Sequence, residues 1–496
     1  MPAVLVTLLV FPFAVSVATF FLPVRASRVV SVVSGTAAFV LALVLVPTAA
    51  DHSQVAAGSL LRVDALSVVF LVATAFLYAT TSLFAGGYLH LAKNAAGARY
   101  GRRFYAGLNL FCWSMLAALL VNGLALLWVA VEITTVVSAL LAAIDDTDGA
   151  TEAAWKYVLI ASLGLGIALL ATIVMYYAGT TVFGGSYSLS YAKMLGGAGH
   201  FPAGAVRVAF VLSVLGFGTK MGLVPVHTWL PDAHSEAPTP VSALLSGALL
   251  AICFYAILRF FQITVRAIGP TFPRTVLLIF GLASLLLAAL YLLSQRDMKR
   301  LLAYSSVEHM GILAIGMSFG VPIAIFGVLL HVLCHAAAKG TAFFGAGSVL
   351  RKFGLKDMAK IRGGIGALPW SGPMLVAAVL ALSALPPFGI FRSEFLIVSG
   401  GLSDPHDVVT AVLVVLVTLA FFGLSWFTTQ TMLSPNVTEP ASGNGAVVTP
   451  PKGEVSTWIV ASMAAGLLAL TILGVHPPAA LSHLLDHAVH ELGVPR

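Results

Sequence analysis

The stretch Gly216-Phe217-Gly218-Thr219-Lys220-Met221-Gly222-Leu223-Val224-Pro225-Val226-His227-Thr228-Trp229-Leu230-Pro231-Asp232-Ala233-His234 decides the fold. An apolar segment from Ala205 to Gly218, broken only by Arg207, runs into it. Another begins at Thr239-Pro240, after Ser235-Glu236-Ala237-Pro238. Lys220 therefore lies well inside an apolar span. Shortly after it, Pro225 removes a backbone donor and interrupts the helix. A lysine at membrane depth is costly and marks a functional site by default. A helix broken at that depth leaves backbone groups unpaired, which is tolerable only inside protein or beside water. Together the two features predict a hydrated ion site within a helix bundle.

Composition sets the solvent. Mean hydropathy is +1.00, and 59% of the 496 residues are hydrophobic against 9% charged. These values exclude an ordinary soluble domain. Apolar runs of about 20 residues recur with short polar joins, the pattern of an all-α polytopic membrane protein. No alternating strands appear, which argues against an outer-membrane barrel. The formal charge of +7 sits in short loops, where it orients spans, and implies no nucleic-acid partner. The start, Met1-Pro2-Ala3-Val4, lacks a basic leader, so the first apolar run is expected to be a retained span. Cys112, Cys253 and Cys334 each fall in a separate apolar run without CxxC spacing. They predict no disulfide, zinc site or iron–sulfur cluster, and no cofactor is expected on this chain.

Spans are expected at 3–22, 28–47, 64–89, 104–121, 124–144, 153–178, 204–224, 240–265, 273–294, 300–318, 322–349, 372–400, 406–432 and 456–475, about fourteen in all. Basic residues Arg25, Arg28, Lys93, Arg99, Arg102, Arg103, Arg296, Lys299, Arg300, Arg351, Lys352, Lys356, Lys360 and Arg362 fall in loops on one side. The positive-inside rule places that side in the cytoplasm and both termini outside. The Pro/Gly/Asn/Ser-rich segment 433–455 is expected to be a flexible loop, and Tyr187 to Leu195 is too short to span and is expected along the surface. A second Pro-broken apolar segment, Leu385-Pro386-Pro387-Phe388-Gly389-Ile390-Phe391-Arg392-Ser393-Glu394-Phe395, also holds an ionisable residue beside its break. Two interrupted helices in corresponding halves are the trace of an inverted-repeat transporter. The expected organisation is N-terminal helices in 1–103, a five-helix repeat in 104–265 broken near 220–225, and a second in 266–432 broken near 386–394. The loop 433–455 and a last helix with tail in 456–496 follow.

Ionisable residues inside spans nominate the site. Glu132 lies near the middle of its span, and Glu308 and His309 lie about two turns into theirs. His331, His335 and Lys339 recur every fourth residue and share one helix face. His-x-x-x-His can bind zinc, but the third member is a cation and no carboxylate adjoins it in the sequence, so no metal is expected. A proton path is the better reading, since imidazoles titrate near neutrality. Gly216-x-Gly218-x-Lys220 lacks a preceding strand and the phosphate-loop spacing. The tail residues His483, His487 and His490 read as a solvated amphipathic end.

Lys220 to Gly247, and in particular HTWLPDAHSEAPTPVSALLSG, resembles the antiporter-like subunits of respiratory complex I, cation/proton antiporters and membrane-bound NiFe hydrogenases. The wording is most similar to the component F branch of hydrogenase-4. Several independent motifs occur in order from about Leu60 to Gly474. Val63-Asp64-Ala65-Leu66-Ser67 looks like the opening of the family's third helix, and Gln295 to Ser306 like its ninth-to-tenth junction. Glu132, Lys220, the His331/His335/Lys339 helix and Glu394 fall at the family's intramembrane charges, and Glu308-His309 points to the hydrogenase branch. The resemblance implies two inverted five-helix repeats and a hydrated row of titratable residues parallel to the membrane. His227, Ser246, Pro225 and Pro387 would support it. Some members carry a further lysine in the eighth helix, where this chain has Ala251. The bridge from Lys220 to Lys339 would then rely on water, Ser246 or the histidines.

These observations predict a multi-pass protein of the inner (plasma) membrane that translocates protons within a membrane-bound redox complex of hydrogenase-4 or NADH dehydrogenase-like type. Its partners would be other membrane subunits, peripheral hydrogenase or redox subunits and the lipid bilayer. No residue of this chain is assigned a catalytic role. Two other readings stand beside it: a sodium or potassium/proton antiporter component, and a membrane anchor that has lost transport. Lys220 and Glu132 would form a switchable pair, with His331, His335 and Lys339 carrying the proton to Glu394.

Overall fold

The computed structural model describes residues 1–50, 52–89, 94–403, 407–434 and 450–493. Lys93 and residues 435–449 of the expected flexible loop lie outside the described residues. The chain begins with α1 (Pro2–Phe21) and α2 (Val24–Ala49). A hairpin of β1 (Gln54–Ala56) and β2 (Leu61–Val63) then leads into α3 (Ala65–Tyr88), α4 (Ala95–Leu120), α5 (Leu124–Ala142) and α6 (Asp148–Phe183). Next come α7 (Tyr191–Gly197), α8 (Ala203–Met221), α9 (Trp229–Glu236), α10 (Thr239–Leu244) and α11 (Leu250–Ile268). The order continues with α12 (Thr271–Leu292), α13 (Met298–Phe319), α14 (Pro322–Phe353), α15 (Gly364–Ala367), α16 (Ser371–Leu382) and α17 (Gly389–Leu402). It ends with α18 (Asp407–Leu433), α19 (Thr457–Val475) and α20 (Ala479–Glu491).

Among the described residues, 12 helical stretches are long and apolar enough to cross a membrane. α13 and the interrupted pair α16/α17 pack among them, so the sequence-based spans find counterparts within a few residues, with three exceptions. α4 begins earlier than expected because Asn94 caps it, its Oδ1 accepting the Gly97 amide at 2.8 Å. α6 is 36 residues long, about 54 Å at 1.5 Å per residue, which exceeds a hydrocarbon core of about 30 Å. The antiparallel hairpin, with Gln54 opposite Val63, was not expected. Its strands have three residues each, too few for alternation to show.

Burial is graded, as a bundle in lipid requires. The best apolar window is wholly buried along Thr239–Ile268 and 89% buried along Pro322–Phe353, but only 33% buried along Pro2–Phe21 and Asp407–Leu433. α3, α10–α11, α13 and α14 thus form the core, and apolar faces such as those bearing Val29, Leu163 and Val415 turn outward. Small residues let helices touch where lipid supplies no hydrophobic drive. At the α12–α13 crossing a Cβ on Gly281 would lie 3.0 Å from the Gly311 carbonyl, and one on Gly311 would lie 2.9 Å from that of Gly281.

The loops sort onto two faces. On one, Lys356 pairs with Glu236 at 2.8 Å, Lys156 reaches Asp232 at 3.4 Å, Arg300 also contacts Asp232, and the Met358 amide donates to Arg296. Arg296, Arg300 and Lys356 are among the residues that sequence assigned to the basic side. On the other face the hairpin, the α4–α5 join, α7 and α20 meet. Asp64 caps α3, accepting the Ser67 amide at 3.0 Å, and takes a buried ion pair from Arg259 at 2.5 Å. Glu491 of α20 reaches back to accept the Ala65 and Leu66 amides at 3.1 and 3.0 Å. Tyr191 of α7 lies under the Arg259 guanidinium, 4.5 Å from its ring centroid, so part of the 187–195 stretch is buried rather than superficial. The tail is likewise docked. His483 and His487 are neighbours, but Leu484, Leu485 and Val489 of the same helix are buried.

Candidate functional site: a buried row of titratable side chains

The site begins where α8 stops. Gly222 adopts a left-handed φ of +89°, and the amides of Gly222 and Leu223 both reach the Gly218 carbonyl at 2.9 Å. This glycine cap ends the helix. The break therefore starts at Gly222, ahead of Pro225, which lies in the link to α9. A side chain at 222 would also meet Leu230, 2.6 Å from its Cδ1.

Lys220 sits in the last turn before that cap and is fully buried. Its Nζ donates to the Val131 carbonyl at 2.9 Å and to the Thr134 and Thr135 hydroxyls at 2.5 and 2.6 Å. An ammonium has three donors, and all three are taken. Thr134 spends its own proton on the Val131 carbonyl at 2.6 Å, which leaves its lone pairs for Lys220. Glu132 belongs to the same turn of α5 but is only half-buried, and its Oε2 has no hydrogen-bond partner among the described residues. In this conformation Lys220 is held by hydroxyls and a carbonyl, while the Glu132 carboxylate is hydrogen-bonded to Ser162 and keeps Oε2 open.

The second stretch is assembled on α13. Its Ser306 hydroxyl meets that of Ser246 at 2.7 Å. Ser246 lies in a π-helical turn, Leu245–Leu249, between α10 and α11. Such turns inside α-helices cluster at functional positions. The adjacent Ser305 takes a short bond from Lys339 Nζ, which also donates to the Leu302 carbonyl at 3.0 Å. Glu308 follows Ser305 by three residues and shares its face; its Oε2 has no partner among the described residues. Lys339 thus repeats the Lys220 arrangement: a buried lysine on one helix grips a carbonyl and a hydroxyl on the helix that bears a glutamate.

Beyond Glu308 the histidines converge. His309 Nδ1 lies 3.1 Å from His331 Nε2, and His331 Nδ1 lies 3.0 Å from the Ser393 hydroxyl. Ser393 donates its own proton to the Ile390 carbonyl at 2.8 Å. It must therefore accept from His331 Nδ1, which leaves the His331 Nε2 lone pair facing His309. The His309 proton then lies on Nδ1, and its Nε2 is bare and unpartnered among the described residues. Glu394, next to Ser393, brings Oε1 to 3.9 Å from His309 Nδ1. His335 is wholly buried, with neither ring nitrogen partnered among the described residues and its ring 5.3 Å from that of His309. A cavity of about 400 Å³ reaches Glu394 between α13, α16, α17 and α18, with Ser383 and Thr418 among its lining.

The structure thus gathers Glu308, His309, His331, His335, Lys339 and Glu394 around α13, with Ser246 attached through Ser306. Glu132 and Lys220 form a separate stretch on α5 and α8. His227 lies on the α8–α9 link, buried, with Nδ1 unpartnered among the described residues, and belongs to neither stretch. Pro387 lies in the link between α16 and α17, which sets Ser393 and Glu394 at the start of α17. The premise that no carboxylate adjoins the histidines is corrected: Glu394 does, from a helix distant in sequence. Sequence reasoning also missed Thr134, Thr135, Ser305, Ser306 and Ser393, whose hydroxyls are unremarkable in a helix until a partner is known. Arg259, buried in the middle of an apolar run, carried the same signal of an intramembrane charge as Lys220.

A helical membrane bundle with two interrupted helices and a buried row of lysines, histidines and glutamates defines the class of antiporter-like membrane subunits. Residues 121–423 match the family described as NADH:quinone oxidoreductase/Mrp antiporter, TM, and the chain belongs to that family. It is 38% identical over 346 residues to a hydrogenase-4 component F homolog of Methylacidiphilum infernorum, covering 69% of this chain and 72% of that one. It is 31% identical over 348 residues to hydrogenase-4 component B of Escherichia coli, covering 68% of this chain and 50% of that longer one. The fold is similar to a chain of the Mrp complex from Dietzia sp., with a TM-score of 0.84, 20% identity and coverage of 99% and 98%. It is also similar to a chain of respiratory complex I from Thermus thermophilus, with a TM-score of 0.80, 22% identity and coverage of 99% and 100%. Both are chains of multi-subunit membrane complexes.

Proposed function

We propose that this chain is the proton-translocating, antiporter-like subunit of a membrane-bound redox complex of the hydrogenase-4 type, seated in the inner membrane, with electron transfer carried by partner subunits. The observation that carries this reading is the buried row itself. It has two stretches: Glu132 and Lys220 on α5 and α8, and the group of Ser246, Ser306, Lys339, Glu308, the histidines and Glu394 around α13. Disuse would let apolar residues replace such costly groups, which argues against a silent anchor. The resemblance to hydrogenase-4 components supports the choice of complex.

The row suits protons better than sodium. Hard cations are held by several oxygen ligands, whereas this row alternates imidazole and ammonium nitrogens with single oxygens. Lys220 gives its proton up only when its three acceptors are exchanged for another partner. Hydrogen bonds to a charged group are each worth about 1.5–3 kcal/mol, so the exchange is a gated step. Glu132, on the same helix with its Oε2 open, is the partner that a movement of α5 against α8 would supply. Water carries the proton from Lys220 to the Ser246–Ser306 hydroxyls. Lys339 and Glu308 pass it to His309 and His331, and Glu394 releases it to the cavity beside α18.

The test is proton translocation by the assembled complex carrying Lys339→Ala. Loss of coupled pumping with intact assembly is expected; an unchanged proton-to-electron ratio would remove Lys339 from the path.

A further inference from the structure

We propose that His309, His331 and Glu394 form a binding site for a divalent transition-metal cation of the zinc class. One ligand atom from each residue, His309 Nδ1, His331 Nε2 and a Glu394 carboxylate oxygen, lies within 4.8 Å of the others. Two of the separations are 3.1 and 3.9 Å. A tetrahedral zinc ion with bonds of about 2.0–2.1 Å has ligand-to-ligand edges of about 3.3 Å, so small side-chain adjustments close the site. The three residues come from α13, α14 and α17, and each is buried.

The surroundings are those of a ligand site. The His331 Nδ1–H donates to the Ser393 hydroxyl at 3.0 Å, the kind of contact that fixes a metal-binding imidazole with its other lone pair forward. Glu394 Oε1, both nitrogens of His335 and His309 Nε2 are buried and unpartnered among the described residues. Binding needs no proton to leave either imidazole. The His309 proton moves from Nδ1 to the bare Nε2, and both facing nitrogens then present lone pairs to the ion. Glu394 binds as the carboxylate, losing its proton to the cavity where it held one. A cavity water or His335 completes the tetrahedron.

Two objections are answered by geometry. Lys339 is eight residues beyond His331, about 12 Å along α14, and its ammonium is turned onto Leu302 and Ser305. The cavity at Glu394, about 400 Å³, is mostly apolar but places Ser383 and Thr418 on the same opening as the carboxylate, polar partners for water that accompanies an ion. A bound cation takes the lone pairs that the proton would use and blocks its passage. That consequence, unlike the binding, rests on the function proposed above.

The test uses the full chain in detergent with His483→Ala and His487→Ala, which remove the surface histidine pair, and Co²⁺ as the probe. One Co²⁺ per chain is expected, with the visible bands of a tetrahedral ion, displaced by Zn²⁺. His331→Asn and Glu394→Gln should abolish the bands without lowering the melting temperature. Ser393→Ala, which touches no ligand atom, should weaken binding about 10–100-fold and serves if the ligand variants fail to fold. No Co²⁺ bound at one equivalent, or equal binding by all these variants, would overturn the site. In the assembled complex Zn²⁺ should lower proton translocation. Stoichiometric binding with undiminished translocation would overturn the blocking role and leave the site standing.

Discussion

Lys220 and Thr135 are joined by a 2.6 Å hydrogen bond that ties α8 to α5 next to the α8 break. Lys339 and Ser305 repeat the bond between α14 and α13. Each lysine is therefore parked on the helix that carries a glutamate, Glu132 or Glu308, without engaging that glutamate. A relay built this way is gated by helix movement, because the ammonium must leave fixed acceptors before it meets a carboxylate.

Among the described residues, the Ser246–Ser306 contact is the one direct hydroxyl link from the α10–α11 helix to α13. Removing it with Ser306→Ala should slow proton translocation about tenfold, corresponding to about 1.4 kcal/mol. The double variant with Ser246→Ala should be no slower than the single one, since either change breaks the same bond. Additive losses would show that the two serines act separately.

Glu394→Gln removes the only titratable group on the cavity side of the described cluster and should abolish pumping. Glu394→Lys keeps a titratable group at a position where the family resemblance admits lysine, and should be milder. Equal loss in both, measured as protons per electron in the complex, would assign Glu394 a carboxylate-specific role instead.

Asp64, Arg259 and Glu491 bind the C-terminal helix to the start of α3. Arg259→Ala would leave the buried Asp64 with the longer Arg62 contact at 3.7 Å and should cost up to about 3–5 kcal/mol of stability, read as a lower melting temperature in detergent. Burial, aided by the nearby Asp64 and opposed by Arg259 and the two backbone amides, pushes Glu491 from 4.5 up to about 8. The folded state then holds this proton more tightly than the unfolded one. Its stabilising contribution is complete below about pH 4.5 and is lost as pH rises through about 8. Burial alone would raise Asp64, but Arg259 holds it at about 2, outside that window. Glu491→Gln should flatten the pH dependence of melting across the window; an unchanged slope would locate it elsewhere.

The distribution of basic loops predicts both termini outside. A reporter fused after Arg496 should read non-cytoplasmic. A cytoplasmic reading would invert the topology.

Sequence made the helices legible because span length is imposed by the bilayer: α12 and α19 end within about three residues of their expected bounds. It made Lys220 and the His331/His335/Lys339 face legible because charge in an apolar run and fourfold spacing are local signals. It could not show which groups meet. His309, His331, Ser393 and Glu394 come from three helices, and their convergence depends on how α13, α14 and α17 cross. The hydroxyl cradle of Lys220 was hidden for the same reason: Thr134 and Thr135 reach the ammonium through the crossing of α5 and α8. The stop at Gly222 turns on a left-handed cap that the more conspicuous Pro225 obscured.

On the proposed path every proton passes through Lys220. The most direct measurement is the number of protons translocated per electron by the assembled complex carrying Lys220→Ala, beside Lys220→Arg. Both variants should assemble and transfer electrons yet fail to pump, alanine because it has no proton to pass and arginine because it does not release one. A wild-type ratio in Lys220→Ala would make the lysine a structural tie between α8 and α5 and contradict the account.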